Sequence, residues 1–293
     1  MKVLAIALLL VAAVSSKNIN FEDVIDLEDI TAYDYHNKIG IPLAKAIRET
    51  EEQDAALGTR IAGGSHASLG QFPYQAGLVI TVASGGTSVC GGVVLNNRRV
   101  ATAAHCWTDG RTPARSLTVV LGSVTLFSGG QRITTSNVVV HANWNPNLIR
   151  DDIGMINIPG INFNNNVQPV ALPSGGETSN TWAGWTATAS GFGRTGDGIS
   201  NAQRLSHVNL PVITNAVCSQ SFNIVTAGNV CTSGAGGRST CGGDSGGPLV
   251  VTNNNRRVLI GLTSFGSASG CTRGFPAAFV RVSHFLSWIN ARL

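Results

Sequence analysis

From Gln75 onward the apolar residues come in short runs broken by Gly, Ser and Asn, a pattern that admits strands and leaves little room for helices. Gln75–Ala83, Val89–Leu95, Arg99–Ala104, Leu117–Leu121, Gln131–His141 and the run after Asp152 are of strand length. Ser84-Gly85-Gly86 reads as a turn, and Asn96-Asn97 as the turn of a hairpin. Pro169–Gly176 looks like the crossing between two halves, and a second series of strands begins near Thr186. Only at Ser283–Arg292 do Phe285, Leu286, Trp288 and Ile289 form one apolar face behind a Ser cap. No helix of convincing length is expected before that point. The expected class is all-β with a C-terminal α-helix at 283–292.

The first 16 residues carry Lys2, an apolar run from Val3 to Val14, and the small residues Ser15 and Ser16. They read as a secretory signal peptide, too short and wrongly flanked to span a membrane, and no other segment is apolar enough to cross one. Export makes the six cysteines candidates for three disulfides. Fifteen frameworks are possible in principle. Neighbours in sequence are the expected pairs: Cys90 with Cys106, Cys218 with Cys231, and Cys241 with Cys271. The first would stabilise by about 3 kcal/mol for a loop of that size. No Cys-x-x-Cys pair or Cys/His cluster points to a metal.

Residues 17–60 hold ten acidic and five basic residues and no cysteine, and read as a removable propeptide. From Ile61 to Leu293 there are fourteen Arg, no Lys and six acids, so an acidic segment would sit on a basic body until cut. Every Lys lies in the part that would be removed. A guanidinium stays protonated to a pKa of roughly 12.5 or above, an ammonium only to about 10.4, so the split implies selection for an alkaline medium. The arginines are scattered rather than striped, which together with export argues against a nucleic-acid partner. A cut after Arg60 would free Ile61, an apolar end followed by Ala62-Gly63-Gly64. Such an end can be buried if its ammonium finds a carboxylate, and Asp244 is the candidate.

Cys241–Pro248 is the stretch richest in chemistry, with five of its eight residues Gly or Pro and Ser245 in the middle. Taken alone it would be a surface turn. Glycines beside a serine also leave the hydroxyl accessible and let backbone N–H groups converge on one spot, as an acyl-transfer site requires. His105 ends a strand beside Cys106, and a bridge there would pin it as a positioned base. Asp152 precedes an apolar strand that would carry its carboxylate inward, where an imidazole N–H is a suitable partner; Asp151 reads as solvated.

With these residues in place, the sequence resembles the chymotrypsin-like serine proteases. The matching stretches are Arg60-Ile-Ala-Gly-Gly, Ala103-Ala-His-Cys, Asp152-Ile-Gly-Met, Gly191-Phe-Gly-Arg, Gly242-Gly-Asp-Ser-Gly-Gly-Pro and Ser264-Phe-Gly. They run in the family's order and cover essentially Ile61–Leu293; any one is weak, and six in order are specific. The flavour is that of arthropod digestive chymotrypsins and collagenolytic relatives. The resemblance implies two six-stranded antiparallel β-barrels, at about 61–172 and 173–282, with the site between them. It implies Ser245 as nucleophile, His105 as base and then acid, Asp152 as the group fixing the imidazole, and the N–H groups of Gly243 and Ser245 as oxyanion hole.

Carried over by position, the resemblance also makes Ser239 the pocket floor, neutral where an enzyme cutting after Arg or Lys needs an aspartate. Gly266 would leave one wall open, and the main chain of Ser264 and Gly266 would pair with substrate as an added strand. Ala277 and Phe265 depart from the family's usual Gly and Trp. The implied activity is secreted, zymogen-activated cleavage after Phe, Tyr or Leu, in digestion in an alkaline gut lumen. Elastase-like or broad collagenolytic cleavage is the alternative, and a catalytically inactive regulatory homologue is a further one. Expected partners are protein or peptide substrates, an activating protease that cuts after Arg60, and protein protease inhibitors. No cofactor, metal, nucleic acid or membrane partner is expected, and the chain is expected to be a monomer. Ser116–Ser136 holds no Asp or Glu, so a calcium site there is not expected. With no cysteine to hold it, the cut segment is expected to leave.

Overall fold

The computed structural model describes residues 26–57, 66–198 and 204–293. The signal peptide and the cut site at Arg60-Ile61 lie outside the described residues. Two antiparallel sheets form the body. The first holds seven strands: β1 (Gln75–Val82), β2 (Thr87–Asn96), β3 (Arg99–Thr102), β4 (Ala114–Leu121), β5 (Gln131–Thr135), β6 (Val138–Val140) and β7 (Gly154–Asn157). Their spatial order is β5-β4-β1-β2-β3-β7-β6. The run expected as Gln131–His141 breaks into two strands at Ser136-Asn137, which makes this sheet one strand larger than expected. The second half is a closed barrel of β8 (Thr186–Gly191), β9 (Ser206–Ile213), β10 (Asn229–Thr232), β11 (Pro248–Asn253), β12 (Arg256–Phe265) and β13 (Ala277–Arg281).

Each sheet encloses its own apolar filling. Leu78, Ile80, Val94, Val100, Val119 and Ile156 fill the first, and Leu210, Val230, Leu249, Ile260 and Phe279 the second. A third cluster joins the two sheets through Val93, Met155, Phe192, Leu262, Val280 and Ile289. The β2–β3 hairpin turns one residue later than the Asn96-Asn97 reading, because the Asn96 side chain accepts from Arg98 N at 2.8 Å and closes the turn. All three disulfides join the pairs expected from sequence, and no cysteine is free.

Helices depart most from expectation. At the C-terminus, a 3-10 turn (Val282–Phe285) precedes a five-residue helix, Leu286–Asn290, and Ser283 caps nothing. The longest helix, α1 (Ile41–Leu57, 17 residues), lies in the acidic N-terminal region, ahead of the point where any helix was expected. Leu43, Ala44 and Ile47, spaced along one face, are buried in the cluster that joins the two sheets. The N-terminal region is therefore part of the packed body.

Candidate active site

His105 sits in a 3-10 turn, Ala104–Cys106, at the end of β3, and the Cys90–Cys106 bridge ties that turn to β2. Its Nδ1 lies 2.8 Å from Asp152 Oδ2, and its main-chain N–H donates to Asp152 Oδ1 at 2.9 Å. The Ser264 hydroxyl donates to Oδ2 at 2.6 Å. Three donors thus satisfy a carboxylate that is only 2% exposed. With Oδ2 accepting at Nδ1, the neutral ring keeps its proton there and leaves Nε2 as the basic nitrogen. The hydroxyl of Ser264 was not legible in the sequence. It reaches Asp152 across 112 residues of chain, and only its main chain had drawn notice.

Ser245 is clamped from both halves of the molecule. Gly91 N of β2 donates to its carbonyl at 2.7 Å, and the next residue, Gly246, donates to Thr263 O of β12 at 2.7 Å. Gly243 has φ +101°, and a Cβ there would lie 2.8 Å from Gly193 Cα, so both torsion and space demand glycine. The arrangement holds a serine hydroxyl, a buried His–Asp pair and a glycine-rich run of N–H groups at one seam between the sheets.

Asp244 is separate from the His105–Asp152 pair. Its carboxylate accepts Gly193 N and Cys241 N, each at 2.9 Å. Burial raises its pKa to about 6, against the pull of those two amides and of Arg194. A cavity of about 380 Å³ opens beside it, lined by Ser190, Gly191, Arg194, His207 and Ser239 among others.

A second cavity, about 320 Å³, adjoins Ser245 and is lined by Ser239, Cys241, Ser264, Gly266, Phe275 and Pro276 among others. Ser239 and Gly266 both line this cavity, and Ser239 lines the cavity beside Asp244 as well. A Cβ on Gly266 would touch nothing within 4 Å, so that wall is open. Ala277 is placed differently: it is buried in the interior of the second barrel with Val230 and Phe279, and Pro276 and Phe275 border the pocket instead. Phe265 is buried edge-on against Phe222, centroids 5.4 Å apart.

Residues of the N-terminal region complete the cleft. Thr31 N donates to Gly266 O at 3.2 Å, Gly266 N donates to Thr31 Oγ1 at 3.0 Å, and Ala268 N donates to Asp29 O at 2.8 Å. Tyr35 is fully buried, its ring centroid 5.0 Å from that of His105, and its hydroxyl donates to Val89 O at 2.7 Å. Burial raises the phenol's pKa, and hydrogen bonds with the Ser245 side chain and Gly243 main chain oppose that rise. His105 Nε2 has no hydrogen-bond partner among the described residues.

Known proteins place this geometry in context. The trypsin family, described as "Trypsin", matches residues 61–289. A Hypoderma lineatum protein named collagenase is 37% identical over 233 residues, covering 79% of this chain and 86% of its own length. Brachyurin of Leptuca pugilator is 37% identical over 239 residues, covering 79% of this chain and 98% of its own. A Phaedon cochleariae chymotrypsin is 36% identical over 244 residues, with 82% and 83% covered. The solved structure titled HL collagenase superposes with a TM-score of 0.71 at 36% identity, covering 79% of this chain and 97% of that one. Six motifs in family order, a buried His–Asp pair, and a family match over 61–289 place this chain in the trypsin family of serine endopeptidases.

Proposed function

We propose that the chain is a secreted zymogen whose mature part, Ile61–Leu293, cleaves proteins after Phe, Tyr or Leu in an alkaline digestive fluid. Ser245 Oγ attacks the scissile carbonyl and gives its proton to His105 Nε2. Asp152 holds the imidazole and stabilises the imidazolium. The N–H groups of Gly243 and Ser245 take the oxyanion, and His105 then passes the proton to the leaving amine. Donors of this kind are worth roughly 2.7–4 kcal/mol each. Water repeats the sequence on the acyl-enzyme. Cutting after Arg60 sends the Ile61 ammonium to Asp244, whose carboxylate stands beside a cavity of about 380 Å³ that Arg194 and Arg238 also line.

The observation that supports this specificity is the pocket beside Ser245, lined by Ser239, which the resemblance makes its neutral floor, and open at Gly266. A pocket lined by no carboxylate offers no counter-charge to Arg, so a second protease is needed to cut at Arg60. Cleavage of a mixed peptide library by the activated enzyme tests this, with Phe, Tyr and Leu expected before the scissile bond. Predominant cleavage after Arg or Lys contradicts it. The relatives named collagenase and brachyurin favour a second reading, broad collagenolytic cleavage, which the same library registers as cleavage after many residue types.

A further inference from the structure

We infer that residues 26–57 form a cleft-spanning inhibitor of this enzyme's own active site, an acidic segment that stays bound without a covalent tie after the cut at Arg60. The inference rests on the reading of 17–60 as a propeptide. Every contact described below lies on the N-terminal side of the cut and survives it.

The segment enters as a substrate would, by adding to the exposed edge that follows β12. Ile30 pairs antiparallel with Ser267, and Thr31 exchanges two hydrogen bonds with Gly266. It then leaves the extended path. Asp34 takes φ +54° and donates its N–H to Asp109 O at 3.3 Å, while His36 N donates to Asp109 Oδ2 at 2.8 Å. A π-helical turn, His36–Gly40, leads directly into α1. The group packed on His105 is therefore the Tyr35 ring rather than a peptide carbonyl, and the phenol, which donates to Val89 O, lines the same cavity as Ser245 with no bond to break. This explains how the segment can fill the cleft and resist hydrolysis.

Beyond Tyr35 the chain covers the other side of the site. Gly40 passes so close to β2 that a Cβ there would lie 1.9 Å from Ser88 Oγ. Leu43 covers Gly243, with Cδ2 2.3 Å from the place a Cβ would occupy, and Ile39 lies over Gly242 in the same way at 2.7 Å. Further along α1, the Glu51 carboxylate accepts from Leu126 N at 2.6 Å, Phe127 N at 3.0 Å and Ser128 Oγ at 2.9 Å. These contacts join apolar burial, backbone pairing and a carboxylate on backbone amides between Ile30 and Glu51. The lack of a cysteine therefore does not release the segment.

The test uses the full chain with a site-specific protease's recognition sequence placed just before Ile61, so that one bond alone is cut. Cut protein is passed over a sizing column at micromolar concentration, and hydrolysis of a small chromogenic substrate is followed on dilution. The wild-type segment should co-elute with the enzyme, and activity should rise at least 10-fold per enzyme as the complex dissociates. Tyr35→Ala should weaken retention by about 100-fold, and Gly40→Val, which cannot approach Ser88, should give full activity at once. Full activity of the wild type directly after cutting, with the segment eluting alone, overturns the inference and leaves the protease assignment intact. Absence of activity in all three cut proteins, under conditions where the segment has been removed, counts against the protease assignment instead.

Discussion

Replacing Glu51 with Gln is the sharpest perturbation of the docked segment, because it removes charge while keeping shape. The carboxylate faces three donors: Leu126 N at 2.6 Å, Phe127 N at 3.0 Å and Ser128 Oγ at 2.9 Å. In the amide, one oxygen can still accept from Leu126, but the NH2 group then points at Phe127 N–H, donor against donor. Ser128 can rotate its hydroxyl and accept, so its bond survives in weaker form. The change costs one charge-assisted bond, worth about 1.5–3 kcal/mol, and part of a second. A total near 2–3 kcal/mol corresponds to roughly 30- to 150-fold weaker binding. The assay is slow-onset inhibition of the mature enzyme by the segment 17–60 recovered from the cut chain, with the dissociation constant read from the steady state. Glu52→Gln, exposed on the next position of α1, serves as control and should lie within about twofold of wild type. A Glu51→Gln segment that binds as tightly as the control would refute the claim that α1 anchors the inhibitor through the 126–128 amides.

Two further outcomes follow from the same geometry. Ser264→Ala removes the 2.6 Å donor to Asp152 and leaves pocket and main chain in place, so kcat should fall about 10-fold or more with KM little changed. A rise in KM alone would mean that the hydroxyl serves substrate binding. Docking should also be acid-sensitive through His36, whose Nδ1 lies 2.8 Å from Ser88 Oγ. Burial and His105 lower the pKa of His36 to about 4, against the opposing pull of Asp109 and Asp34, while a free histidine titrates near about 6.5. The docked value is depressed, so binding is full above about pH 6.5 and is lost as pH falls from there toward 4. Fluorescence anisotropy of a labelled segment should show on the order of 50-fold weaker binding at about pH 4.5 than at pH 8. Affinity that stays flat through that window, or a His36→Gln segment with the same pH profile as wild type, would remove the histidine from the account.

The residues proposed for the reacting centre stand out in the sequence because their signatures are short-range. A glycine run around Ser245, a strand-ending His105 beside a cysteine, and Asp152 ahead of an apolar strand each carry their own local signature. Strand lengths and the nearest-neighbour disulfides were legible for the same reason. The hydroxyl of Ser264 on Asp152 and the burial of Ala277 depend on how distant strands meet, which no local pattern encodes. Helix α1 is a different case. Its sequence opens Ile41-Pro42, continues with Leu43, Ala44 and Ile47 at helical spacing, and is rich in Ala and Glu, both of which favour a helix. Its acidic balance and position ahead of a cut site are equally those of a removable segment. The 3.6-residue period was present, and its apolar face needed a partner, which the joined sheets supply.

In the proposed mechanism one serine, activated by one histidine, does the chemistry, and a serine-directed phosphonylating reagent reads this out at the residue itself. Activated enzyme freed of residues 17–60 should take up one equivalent, with the adduct located by mass spectrometry at Ser245. The same protein carrying His105→Ala should react slower by a factor on the order of 10³ or more, since the hydroxyl loses its base. Labelling at another residue, or labelling at Ser245 that does not depend on His105, would contradict the account.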